Sequence, residues 1–295
     1  MRSPDHYAVA VRRPNGDIIV KKEPYETITK RVKWLGLPIL RGAFILIEAL
    51  ILGIKALTFS GDIAADESPE DKHKDRKKSA LEKVGMILTV LFSFALGLAL
   101  FFYVPLLLTD LFNFESSFSF NLVDGIFRLL IFLLYLYLIS RWKEIHRVFQ
   151  YHGAEHKSVY TFEEHKDLTV DQARHYTTLH PRCGTSFLFI VMMVSILVFM
   201  VVGKPDSISE RLVRFAFIPL IGGISYEFIR LSEKASKNPL SRLFVLPGLW
   251  LQKITTNEPD DSQLEVALVA LKSALDLDPQ VGNAKIEFVE QGAKV

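Results

Sequence analysis

Four long apolar runs, separated by polar and charged segments, dominate the chain. Val84 to Leu108, Leu122 to Ser140, Thr185 to Val202 and Arg211 to Leu231 are each long enough to cross a hydrocarbon layer as a helix. The second carries Asp124 and Arg128 near its start, and the fourth holds Glu227 beside Tyr226. Near the N-terminus the pattern changes to β-type: Ala8-Val9-Ala10-Val11, then Pro14-Asn15-Gly16, then Ile18-Ile19-Val20. Asn-Gly between two β-prone runs predicts a hairpin within residues 7–22.

The connections orient the spans. Residues 62–83 hold six Lys/Arg and residues 141–184 hold seven, whereas 109–121 hold none. The tendency of basic loops to stay inside puts 62–83, 141–184 and the C-terminus in the cytoplasm, and Lys234, Lys237 and Arg242 after the last span agree. The mixed-charge run Asp66–Lys78 reads as a solvated loop. Residues 37–59 are also long enough to span, but Arg41, Glu48 and Lys55 recur every seven residues on nearly one helical face. A crossing there would leave eight Lys/Arg of residues 1–35 outside, so an interfacial or re-entrant helix is the expectation.

Towards the C-terminus, Leu240 to Ile254 is amphipathic and expected to be broken by Pro247-Gly248. Ser262 and Glu265 are spaced as a capping box ahead of Leu264, Leu268, Leu271 and Leu275 on one helical face. The fold class that follows is mainly α: a polytopic helical membrane protein with about four transmembrane helices, interfacial or re-entrant helices and a small N-terminal β-hairpin. Its predicted parts are a cytoplasmic hairpin segment (1–35), the interfacial helix (36–60), a membrane domain (84–254) with a His-rich cytoplasmic loop (141–184), and a cytoplasmic C-terminal helix and tail (255–295).

Composition narrows the function. A formal net charge of +2 gives no broad positive field, so no nucleic-acid partner is expected; the expected partners are the lipid bilayer and a substrate or protein at its interface. One cysteine, Cys183, excludes an intrachain disulfide and suits a reducing compartment. The first thirty-odd residues are polar and basic, with no apolar stretch of the kind a cleavable signal peptide carries.

The chemistry concentrates in one loop. Six of the eight histidines lie between 146 and 180. His152 and His156 are four residues apart, which puts two imidazoles on one helical face as ligands of a single metal ion. Glu155 falls in the same sector, placed to act as general base on a water, and the H-x-x-E-H order matches the inverzincin signature. His180-x-x-Cys183 follows at the start of the next span and supplies two further candidate ligands, with zinc the expected metal. Glu227 is a candidate third or fourth ligand, with an ion pair to Arg230 as the plainer alternative. His146 points away from His152 and reads as interfacial; His165 and His175 read as solvent-exposed.

The residues also carry a resemblance. Met1-Arg2-Ser3-Pro4 leading to Ala8–Arg12, Arg41-Gly42, Tyr151–Lys157, His180–Phe187, Tyr226-Glu227, and Ile254–Asp261 running on into Gln263–Ala267 resemble the bacterial DUF1385, or YqhQ-like, family. Members of that family carry a Gly- and Glu-containing segment ahead of the position of Met1. The resemblance implies a multi-pass bacterial inner-membrane protein and, by the family's description, a metal-dependent membrane enzyme, without naming substrate or reaction. The expectation is then a zinc-dependent hydrolase at the cytoplasmic membrane interface, with both termini cytoplasmic. The competing expectation is a non-catalytic scaffold or biogenesis factor whose His/Cys/Glu cluster is structural or binds a partner.

Overall fold

The computed structural model describes residues 1–64, 80–234 and 239–289. Strands β1 (His6–Arg12) and β2 (Ile18–Pro24) form the expected antiparallel hairpin, with His6 opposite Pro24 and Arg12 opposite Ile18. Gly16 adopts φ +95°, a conformation that costs little without a Cβ, and so closes the turn. A third strand, β3 (Ile286–Phe288), runs parallel to β2 and completes a three-stranded sheet.

The other regular elements among the described residues are helical. After a single turn, α1 (Ile28–Arg31), come α2 (Leu40–Ala64), α3 (Ala80–Leu98), α4 (Val104–Asp110), α5 (Ser117–Ser140), α6 (Lys143–Glu163), α7 (Val170–Arg174), α8 (Gly184–Val202), α9 (Ile208–Ala216), α10 (Ile218–Lys234), α11 (Pro239–Thr255) and α12 (Asp261–Ala274). A π turn over Ala99–Tyr103 joins α3 to α4 just ahead of Pro105, whose missing N–H removes one hydrogen bond from a continuous helix. Among the described residues, five segments are long and apolar enough to cross a membrane: Leu40–Ile63, Leu88–Asp110, Ser117–Ser140, Gly184–Val202 and Ile208–Leu231. The architecture is that of a polytopic helical protein, with α8 packed between α5, α10 and α11.

The first of those segments, Leu40–Ile63, is the one expected to be interfacial or re-entrant. α2 is one uninterrupted helix, and its charges have partners. Arg41 pairs with Glu227 of α10, while Glu48 accepts from the Ile28 amide (2.6 Å) and the Tyr25 hydroxyl (3.3 Å). At its other end Phe59 and Ile63 pack on Val11 and Ile19 of the sheet.

The sheet, α6, α7 and α12 share a second core, built on Ile18, Val20, Ala154, Leu264, Leu268 and Val269. Two expectations near it are corrected. α11 runs unbroken through Pro247, because Leu251 and Gln252 beyond it are buried against neighbouring helices and hold the axis. The box that opens α12 is Asp260 with Gln263, not Ser262 with Glu265. Ser262 donates to the Asp260 carboxylate (2.6 Å), and Glu265 pairs with Arg12 of β1. The run Asp66–Lys78 and Lys237 lie outside the described residues.

Candidate functional site

α6 carries the histidines because its sequence Lys143–Glu163 contains no proline and buries one face against α12. His152 and His156 come out one turn apart, ring centroids 4.4 Å from each other. Each ring is fixed by a backbone carbonyl: His152 Nδ1 meets Thr255 O (2.8 Å), and His156 Nδ1 meets Thr178 O. A carbonyl only accepts, so both Nδ1 atoms carry a proton, and in the neutral ring Nε2 is left to present a lone pair. Cys183 closes the group, its Sγ 3.1 Å from His152 Nε2. One ligand atom from each of His152, His156 and Cys183 falls within 4.8 Å of the other two.

The thiol sits where negative charge is favoured. Cys183 is the N-cap of α8, and the Thr185 amide and hydroxyl approach its sulfur at 3.4 and 3.0 Å. Burial alone would push the thiol up, but hydrogen bonds from His152 and His156 pull it down to about 5. Burial alone would lower His152; the contact with Cys183 and the Thr255 carbonyl outweigh it and hold the imidazole above its usual value. In metal-free protein the one thiol of the chain is therefore expected to titrate near pH 5 by ultraviolet thiolate absorbance. Substituting His152→Ala should move that midpoint towards 9; a wild-type midpoint already at 9 would contradict the pairing.

The other predicted site residues are placed around this group rather than in it. His180 is buried, its ring 5.6 Å from that of His156, and its Nε2 points to Glu163 (3.4 Å). Its backbone is clamped by Gln252, which accepts from the His180 amide (2.7 Å) and donates to its carbonyl (2.8 Å). Burial pushes the His180 imidazole down. Glu155 is exposed and lines a cavity of about 900 Å³ between β1, α2, α6 and α12, with Ala8, Val11, Leu57, Tyr151 and Ala267 among its walls. Its charge is felt by His152. Glu227 stands apart, held by Arg41 through Nε (2.6 Å) and Nη2. His165 and His175 are exposed, as expected; His146 is also exposed and meets the Asn257 side chain (3.2 Å).

The wall that sequence reasoning missed is the stretch after α11. Thr255 orients His152, the Asn257 amide donates to Phe149 O (2.9 Å), and Glu258 pairs with the buried Lys157, which also donates to Arg174 O (3.1 Å). Gly153 makes this possible, since a Cβ there would lie 2.2 Å from Asn257 O. Thr255-Thr256-Asn257-Glu258 was visible as a family-like run, but a backbone acceptor leaves no signature in side-chain type.

Comparison with known sequences fits this arrangement. The model of the family described as "Protein of unknown function (DUF1385)" matches residues 37–277, which include every ligand candidate. The chain belongs to the DUF1385 family. It is 36% identical over 282 residues to the "Uncharacterized protein YqhQ" of Bacillus subtilis (strain 168), covering 92% of this chain and 88% of that protein. No solved structure matches the chain. The DUF1385 description assigns neither metal nor reaction, so both rest on the geometry.

The donor set suits zinc. Two imidazoles and a thiolate are borderline-soft ligands, and tetrahedral zinc sets N and S donors roughly 3.5 Å apart, close to the Sγ–Nε2 contact. Carbonyl-anchored Nδ1–H groups are the usual outer support of metal-binding histidines. Three protein ligands leave a fourth position open, as in catalytic zinc sites.

Proposed function

We propose that this DUF1385 protein is a zinc-dependent hydrolase embedded in the bacterial inner membrane. It would act at the cytoplasmic interface on a peptide or lipid-like substrate. The observation that carries the reading is that both histidines are tied through Nδ1 to carbonyls, so that two Nε2 atoms and Sγ of Cys183 converge. His152, His156 and Cys183 hold the ion. When bound, zinc supplies Lewis acidity and brings deprotonation of water within reach of neutral pH. Glu155, exposed on the cavity side of α6, would serve as general base, and the mostly apolar cavity would receive the substrate. His180, buried beside His156, positions that ring and lines the inner wall; Glu227 serves Arg41 and is not a ligand.

The reading also gives α2 a place. Its first turn meets α10 and its last turns meet the sheet, whose core continues into α6 and α12. On this reading α2 lies along the cytoplasmic face, with Ile47, Leu50 and Ile54 turned outward to the bilayer. Cysteines introduced as Leu37→Cys and Gly61→Cys should label from the same side of oriented vesicles. Labelling from opposite sides would make α2 a fifth span.

The test of function separates ligand from base. Purified protein should contain one zinc per chain, and the His152→Ala, His156→Ala double variant should contain none. Glu155→Gln should keep the zinc and lose roughly 10²–10⁴-fold in turnover, the usual contribution of a general base. Zinc that persists in the double variant, or a Glu155→Gln protein that still supports wild-type function in cells, overturns the reading. The same Sγ–Nε2 contact would also serve a cysteine nucleophile. In that case metal-free protein would be active and alkylation would inactivate it.

A further inference from the structure

A second polar centre lies at the far end of the helices from the histidines. Cys183 begins α8, and Phe199 is sixteen residues further on, about 24 Å along the axis. Around Phe199 gather Asp124 and Arg128 of α5, Arg214 of α9, and the side chains of Asn121 and Ser195, all at most 3% exposed. Arg128 donates to Asp124 Oδ2 (2.8 Å) and Ser195 Oγ (3.1 Å). Arg214 donates to Asn121 Oδ1 (2.7 Å) and to Gly203 O (2.6 Å), a carbonyl turned inward by the +94° φ of Gly203.

The cluster is short of one negative charge. Two guanidiniums share Asp124, with Arg214 Nη1 at 3.7 Å from the same Oδ2 that Arg128 uses. The neighbouring Asp110 is already paired with Arg211 (2.6 Å) and adds nothing net. Because both approach the one Asp124 Oδ2, the two cations are close to one another, and both guanidinium carbons also lie within 4.9 Å of the Phe199 ring centroid. Ring faces stabilise a cation but offer no acceptor to its in-plane N–H groups. Arg128 Nε, Arg214 Nε and Arg214 Nη1 are left without a hydrogen-bond partner, as is the acceptor Asp124 Oδ1. An unbalanced buried charge with orphaned donors is costly in an apolar medium and persists where something else completes it.

We infer that this centre binds a small inorganic oxyanion that retains one proton, of the bicarbonate or dihydrogen phosphate class. Such an anion supplies the missing negative charge, accepts from the three orphaned N–H groups, and donates its own O–H to Asp124 Oδ1. Chloride meets only the first two needs.

The inference is independent of the zinc reading and is tested on the full chain in detergent. Thermal unfolding is followed while bicarbonate or phosphate is titrated in at constant ionic strength, with chloride as the balancing salt. A saturable rise in the unfolding midpoint is expected, weakened at least tenfold in apparent affinity in Arg214→Lys, which keeps the charge but loses the in-plane donors. Asn121→Ala, which frees one more Arg214 donor and keeps both cations, should retain the response and shows whether folding survives a change at the site. A wild-type midpoint that does not respond, or an equal response in Arg214→Lys, overturns the inference. An equal response to chloride alone overturns the assignment to a protonated oxyanion.

Discussion

Replacing Gly153 by alanine should detach the Thr255–Asp260 stretch from α6 and empty the proposed zinc site with it. The added Cβ would stand 2.2 Å from Asn257 O and 3.1 Å from Thr178 Cγ2. The first of these is backbone, with no rotamer to escape into, so either the stretch or α6 must move. Three contacts are lost in that movement: the Asn257 amide to Phe149 O, the Lys157–Glu258 pair, and the Thr255 carbonyl on His152. Overpacking of this kind costs about 1–3 kcal/mol, and leaving Lys157 buried without its carboxylate adds to it. Losing the outer partner of a ligand histidine alone lowers metal affinity about 10–100-fold. The unfolding midpoint and the zinc content should therefore fall together. Gly53→Ala and Gly61→Ala in α2 are the controls, since nothing lies within 4 Å of either added methyl group. An alanine in an open helix interior is favoured by roughly 0.5–1 kcal/mol over glycine, so those variants should be neutral or more stable. If Gly153→Ala unfolds like them and keeps its zinc, the close approach of Asn257 is not what holds the site.

The contrast between those glycines shows what the sequence carries. Segments that must be apolar all round declare themselves: the second and third long runs appear as single helices close to their expected ends, while the first carries the π turn at Ala99–Tyr103 and the fourth is divided at Phe217 into α9 and α10. The hairpin was legible because Asn15-Gly16 is a local signal. The His152/His156 pair was legible because helical spacing alone brings its rings together. What was hidden depends on distant partners. β3 is three residues long and joins β2 from more than 260 positions away, with no turn signal linking them. Glu227 looked like a ligand because its partner Arg41 is 186 residues distant. The sequence also could not show that Gln252 clamps the His180 backbone and holds its ring beside that of His156. Arg214 drew no attention in an amphipathic stretch, yet it is the second cation on Asp124. The cap of α12 shifted by two residues because Ser262 braces Asp260 and Glu265 is taken by Arg12. Side-chain type marked the chemistry; backbone carbonyls such as Thr178 O and Thr255 O, which aim it, have no side-chain mark at all.

Removing the metal should give the second large effect, with a pH dependence set by the ligands. A ligand that binds only the folded chain stabilises it by about 2.7 kcal/mol at a hundred times its dissociation constant. A chelator should thus lower the wild-type unfolding midpoint, and zinc should restore it. In Cys183→Ser neither should have an effect, because the only thiolate of the chain is gone. Without metal, Cys183 and His152 stabilise each other as thiolate and imidazolium. The thiol lies below its unfolded value, so its contribution is present at high pH and disappears as pH falls through about 5. The imidazole lies above its unfolded value, so its contribution is full below about 6.5 and disappears as pH rises through the raised pKa. The metal-free pair is therefore strongest in weak acid, between those limits. Zinc must expel the His152 proton there, whereas above the raised pKa it meets a free Nε2 lone pair. The zinc-induced rise in midpoint should be clearly larger at about pH 8 than at about pH 6. In His152→Ala that difference should shrink along with the affinity. A rise that is independent of pH in wild type would mean that the ion, if bound, is held by oxygen ligands elsewhere and not by this pair.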